Sequence, residues 1–136
     1  MTKKVKILVV DDEAFNLDIM SYHLEEAGFE VIQAEDGDVA LQKLAAIPDI
    51  AVTILDRRMP RMDGVAVLDR VKKTPELENV LVIMQTAASD YEQIAMLSLE
   101  GASGYLTKPY DGEDLINLVH VVLRDSAAAN KLRQIS

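Results

Sequence analysis

Hydrophobic and polar positions follow two alternating regimes along this chain. Residues 5–10 are a short, mainly apolar run between Lys4 and Asp11, the pattern of a strand buried on both faces. From Glu13 the period lengthens. Leu17, Met20, Leu24 and Ala27 recur at helical spacing, and Gly28 stands where a helix C-cap belongs. A second strand is predicted over 29–34. Asp36 or Asp38 caps a second helix with the stripe Val39, Ala40, Leu41, Leu44 and Ala45, ended by Pro48.

The same alternation continues. Residues 51–55 read as a third strand, ending on the carboxylate of Asp56. Val65, Leu68 and Val71 give the third helix its stripe, closed at Thr74 and Pro75. The fourth strand lies over 80–84, and Ser89 or Asp90 caps a fourth helix running to Gly101. A short fifth strand is predicted over 103–106, and a fifth helix over 111–124 carries Leu115, Leu118, Val119 and Val122 on one face. The alanine-rich residues 126–136 either extend that helix or fray.

Strands alternating with helices imply an α/β fold, a five-stranded parallel sheet with five helices on both faces and right-handed crossovers. In such open sheets, ligands sit at the carboxyl ends of the strands. Asp11 and Asp12 end the first strand, Asp56 the third and Thr86 the fourth, while Lys108 follows the fifth. All fall on one edge.

Composition narrows the function classes. The 136 residues suffice for one core, and 49% hydrophobic with 27% charged residues reads as globular. With no cysteine there is no disulfide framework, thiolate metal site or cysteine nucleophile, which suits a reducing compartment. The first apolar run is too short for a signal-peptide core or a membrane span, so a cytoplasmic protein without membrane contact is expected. A formal charge of −9 disfavours direct nucleic-acid binding and favours cationic partners.

The edge residues carry a specific chemistry. Three carboxylates held together repel, and a hard divalent cation with oxygen ligands relieves that repulsion. Asp12 and Asp56 are candidate direct ligands of Mg²⁺ (or Mn²⁺), with Asp11 direct or through water and the Arg58 backbone carbonyl completing the set. A carboxylate can also attack phosphorus to form an acyl phosphate, and Asp56 stands alone at its strand end. Phosphoryl transfer then needs positioning and charge neutralisation, for which Lys108 offers a cation and Thr86 a hydroxyl donor. Singly, each has an ordinary explanation. Asp56 is a turn acid, residues 11–13 favour a helix N-terminus, Thr86 satisfies backbone groups, and Lys108 is a solvated loop residue. Their joint placement at matching strand ends favours function. His23 and His120 lie mid-helix without a partner at metal spacing and are taken as structural.

These residues closely resemble the receiver domain of two-component response regulators. The resemblance spans 5–124 and rests on four motifs. They are Val-Val-Asp-Asp-Glu at 9–13, Leu-Asp-Arg-Arg-Met-Pro-Arg-Met-Asp-Gly at 55–64, Thr-Ala at 86–87, and Gly-Ala-Ser-Gly-Tyr-Leu-Thr-Lys-Pro at 101–109. It implies the flavodoxin-like strand order 2-1-3-4-5. It also implies that Asp56 accepts a phosphoryl group from a histidine kinase or phosphotransfer protein while Asp11 and Asp12 help bind Mg²⁺. Lys108 would contact the phosphoryl group, Thr86 would turn inward to it, and Tyr105 would pack behind. The Lys108–Pro109 bond would be cis. Such a chain is a phospho-acceptor with slow autophosphatase activity rather than a dedicated enzyme.

The resemblance also exposes departures. Arg58 is a large cation two residues past the acceptor, and this position and Ala88 modulate phosphoryl lifetime in the family. Tyr91, Ile94, Ala95, Met96, Leu97 and Leu99 put apolar groups on more than one face of the fourth helix, which suggests a partner or homodimer surface on the fourth helix, fifth strand and fifth helix, with Tyr91, Met96 and Leu99 as its candidates. The receiver domain is assigned to 1–125, with 126–136 as a helix extension or a linker to an output domain. Three other functions compete. A receiver-like module acting without phosphorylation usually lacks a site residue, and this chain has all five. An aspartyl-phosphate hydrolase of the haloacid-dehalogenase kind places an acid/base Asp where Arg58 stands. A nucleotide-binding module would need a glycine-rich loop after the first strand, where none occurs.

Overall fold

The structure, a computed structural model, describes residues 3–59, 62–87 and 101–135, with side chains as far as residue 127. Five strands, β1 (Lys6–Val10), β2 (Glu30–Ala34), β3 (Ile50–Asp56), β4 (Leu81–Ala87) and β5 (Gly104–Lys108), form one sheet. Its order is β2-β1-β3-β4-β5 and every pairing is parallel. The helices are α1 (Ala14–Glu26), α2 (Gly37–Ala46), α3 (Gly64–Lys73) and α4 (Gly112–Ile135). α4 is the fifth helix of the sequence reading. The helix expected before Gly101 falls on residues 88–100, outside the described ones, and with it Ala88, Tyr91, Met96 and Leu99.

The two-sided burial of β1 organises the core. Leu8 and Val10 face a cluster built with Ala40 and Leu44 of α2 and Leu68 and Val71 of α3. Ile7 and Val9 face the other side, with Leu17, Met20 and Leu24 of α1 and Leu115, Val119 and Val122 of α4. Period-two alternation thus feeds two cores from one strand. On α3 the buried set is Val67, Leu68 and Val71, with Val65 only partly covered, and on α2 Ala45 is exposed.

Helix ends are set by local chemistry. The Asp36 carboxylate accepts from the Val39 N–H at 2.8 Å, and that of Asp63 from the Ala66 N–H at 2.9 Å. Asp111 and Asp114 cap α4 reciprocally, each carboxylate accepting from the other's backbone N–H. Gly28 ends α1 with φ +96°, where a side chain would be strained. α4 runs on through 126–135, so that stretch extends the helix.

Two strand boundaries correct the sequence reading. β4 reaches Ala87, so Thr86 lies inside the strand rather than closing it, and Lys108 is the last residue of β5 rather than a loop residue beyond it. Polar residues at both places hid the continuation, because a carboxyl-edge functional group interrupts the apolar pattern while the backbone ladder goes on, pairing Thr86 with Thr107 and Ala87 with Lys108.

Candidate functional site

Parallel pairing brings the ends of three central strands together. Val10 pairs with Leu55 and Asp56 with Gln85, so Asp11, Asp56 and Thr86 follow one another across the sheet edge. Each of Asp11, Asp12 and Asp56 offers a carboxylate oxygen lying within 4.8 Å of the others'. Asp11 is 1% exposed and Asp56 8%, whereas Asp12 faces solvent. Lys108 Nζ lies 3.0 Å from Asp56 Oδ2. The Arg58 N–H donates to Asp56 Oδ1 at 3.2 Å, so both acceptor oxygens are engaged by donors.

Asp11 does not cap α1 with its charge. Its Oδ1 accepts from the Glu13 N–H at 2.9 Å, while Oδ2 is buried without a hydrogen-bond partner among the described residues. Burial pushes its pKa up, and the Asp56 and Asp12 charges act in the same direction. The Glu13 N–H and the Lys108 ammonium oppose them. A buried carboxylate oxygen left unpaired beside two further carboxylates fits a hard divalent cation, which the donor chemistry of all three residues suits.

The other expected residues among the described ones differ in setting. Thr86 is buried, and among the described residues its hydroxyl makes only a long contact of 3.4 Å, donating to the Ala87 carbonyl oxygen. Tyr105 is half-buried against the core on the α2 and α3 side. The Lys108–Pro109 peptide is cis. The Arg58 side chain is exposed and lines a shallow cavity with Arg57, Met59 and Asp63. His23 is half-buried with its ring against Gly112, and His120 lies on the surface beside Phe29, so neither belongs to the site.

Two features escaped the sequence pattern. Gln85 sits in an apolar strand yet is buried and hydrogen-bonded to Tyr110, a contact across 25 residues that no local spacing encodes. Phe15 and Tyr22 of α1 are 74% and 62% exposed, off the buried stripe. The helical period itself could have found these two, since neither shares the face of Leu17, Met20 and Leu24.

Comparison with known proteins shows the family. The response regulator receiver domain family matches residues 7–120. The alkaline phosphatase synthesis transcriptional regulatory protein PhoP of Bacillus subtilis is 37% identical over 126 residues, covering 91% of this chain and 50% of that protein. The DNA-binding dual master transcriptional regulator RpaA of Synechocystis is 34% identical, covering 88% of this chain and 49% of that protein. This chain therefore spans about half the length of these curated relatives. Among solved structures, a response regulator receiver domain protein from Clostridium thermocellum superposes with a TM-score of 0.81 at 31% identity, covering 94% of this chain and 98% of its own. The chemotaxis response regulator CheY4 of Vibrio cholerae gives 0.81 at 32% identity, covering 88% and 99%. Motifs, strand order and relatives agree, and the chain belongs to the response regulator receiver domain family.

Proposed function

We propose that this receiver is switched by phosphorylation of Asp56, with the phosphoryl group taken from a sensor histidine kinase or phosphotransfer protein. The observation that carries this reading is the Asp56 carboxylate, enclosed yet reachable, flanked by Lys108 at 3.0 Å and by two further carboxylates. An Asp56 oxygen attacks the phosphorus of a phosphohistidine. The new P–O bond forms as the P–N bond breaks, and the imidazole leaves with the electron pair. Asp11, Asp12, Asp56 and the Arg58 carbonyl would hold Mg²⁺ (or Mn²⁺), which when bound neutralises charge on the transferring oxygens. Lys108 supplies the protein's own cation to the same oxygens. The Thr86 hydroxyl, weakly engaged at 3.4 Å, is available to turn toward the new phosphoryl group, with Tyr105 packing behind it. The Arg58 side chain and Ala88 tune how long that group survives, with slow self-catalysed hydrolysis as the only intrinsic turnover.

A donor needs a surface beside the acceptor. Phe15, Ile19 and Tyr22 present an exposed apolar patch on α1. Ile19 and Lys108 share a cavity of about 560 Å³ between that helix and the start of α4. This face suits a helical phosphodonor docking across the acceptor. The switched output surface is assigned to the segment before Gly101 together with β5 and α4, and homodimerisation there is part of the proposal. Replacing Met96 and Leu99 with polar residues should weaken association of the phosphorylated form, and unchanged sedimentation would remove that surface. A cytoplasmic setting without membrane or direct nucleic-acid contact completes the reading. No helix among the described residues is long and apolar enough to cross a membrane, and the charge of −9 opposes DNA.

The test is spectroscopic. Beryllofluoride with Mg²⁺ should shift backbone resonances around Asp56, Thr86 and Lys108 in the wild type and leave Asp56→Ala unchanged. Identical spectra for the wild type with and without the reagent would defeat the proposal and favour a receiver that works without phosphorylation.

A further inference from the structure

Among the described residues, Gln85 is the one buried polar side chain beside the site that the chemistry above does not use. It is 1% exposed, in the layer between β4, α1 and α4. Burying an amide in apolar surroundings is costly unless both its ends are engaged. Oε1 accepts from the Tyr110 hydroxyl, and Nε2 lies 3.5 Å from Met20 Sδ, a weak acceptor. The Gln85 carbonyl accepts from the Arg57 N–H at 3.1 Å. One residue therefore ties the peptide just after Asp56 to the residue two past Lys108. Burial, then the Asp11 and Asp56 charges, push the Tyr110 pKa up to about 12, so its hydroxyl keeps its proton and donates.

Lys108 needs such an anchor. Its side chain is long, flexible and 38% exposed, so holding its ammonium on Asp56 costs rotamer entropy and depends on a backbone that aims it well. Upstream, the sheet register of β5 fixes that backbone. Downstream comes Pro109, which has no N–H to donate, so the first side-chain tie after the lysine is Tyr110 to Gln85. We propose that Gln85 and Tyr110 are positioning residues for phosphoryl transfer, a strut that sets the Lys108 ammonium against Asp56. The inference rests on the reading that Asp56 accepts a phosphoryl group.

The test is a mutant cycle on the rate of Asp56 phosphorylation by acetyl phosphate at saturating Mg²⁺. Tyr110→Phe should slow the wild type by roughly tenfold, equivalent to about 1.4 kcal/mol in the barrier. In a Lys108→Ala background the same change should slow it less than about twofold, because a strut that acts through the lysine has nothing left to aim. A merely structural tyrosine lowers the melting temperature without this dependence on background. Equal slowing in both backgrounds, or none in the wild type, overturns the proposal. If Tyr110→Phe does not fold, Gln85→Met, which keeps the volume and removes the acceptor, takes its place in the cycle. A wild type that takes up phosphoryl groups while Tyr110→Phe keeps its full rate refutes the strut alone. A wild type that takes up none refutes the underlying reading, and the strut with it.

Discussion

At the scale of single residues, two buried oxygens without partners among the described residues have opposite meanings. Asp11 Oδ2 sits among carboxylates, where a cation can satisfy it, and Thr53 Oγ1 sits in mid-strand, where nothing does. Asp11 has its folded pKa raised, so its contribution to stability is fully present below the ordinary carboxylate pKa and is lost as pH rises through the folded value. At neutral pH the metal-free protein therefore carries this cost. Asp11→Asn should raise its melting temperature and abolish the stabilisation that added Mg²⁺ gives the wild type. In the wild type, Mg²⁺ affinity should fall as pH drops through the raised Asp11 pKa. Thermal melts with and without Mg²⁺ check both, and a Mg²⁺ response surviving in Asp11→Asn would remove Asp11 from the metal set. Thr53→Val keeps the shape and removes the orphan hydroxyl, so urea denaturation should show a gain of about 1 kcal/mol. A loss of that size would mean the hydroxyl is satisfied.

At the scale of elements, the start of α3 is where site and scaffold meet. A Cβ on Gly64 would stand 2.5 Å from the Asp56 carbonyl oxygen and 2.8 Å from Met84 Cε. Alanine is the better helix former, by about 1 kcal/mol, yet here Gly64→Ala should lower stability by about 1–3 kcal/mol through overpacking. It should also slow the proposed phosphorylation of Asp56, because the clash falls on the Asp56 peptide itself. Asp63→Ala, one residue earlier, should cost only the cap, about 1 kcal/mol in chemical denaturation, with phosphorylation intact. Equal effects of the two would mean that Gly64 acts only as part of the helix. The elements themselves were largely legible. Strands buried on both faces leave continuous apolar runs, and α1 shows its period in Leu17, Met20 and Leu24. What stayed hidden were the ends of β4 and β5, where Gln85, Thr86, Thr107 and Lys108 replace the apolar signal while the ladder persists.

At the scale of the molecule, the fold is a device for bringing distant carboxylates together. Asp11 and Asp56 lie 45 positions apart in the chain, and parallel pairing of β1 with β3 places their strand ends side by side. That convergence was readable because strand ends can be counted. The Gln85 to Tyr110 bond was not, because a buried polar contact depends on which way two side chains turn inside the packed layer. The net charge of −9 adds a general consequence. Raising ionic strength should weaken Mg²⁺ binding by screening the carboxylates, an effect an isothermal titration across a salt series would display. The proposed switch turns Asp56 into an acyl phosphate. Treating the phosphorylated protein with borohydride reduces such a linkage and marks the residue that carried it, which peptide mass spectrometry then locates. The mark should fall on Asp56 alone. A mark on Asp11 or Asp12, or an unmodified chain after exposure to a competent phosphodonor with Mg²⁺, would contradict it.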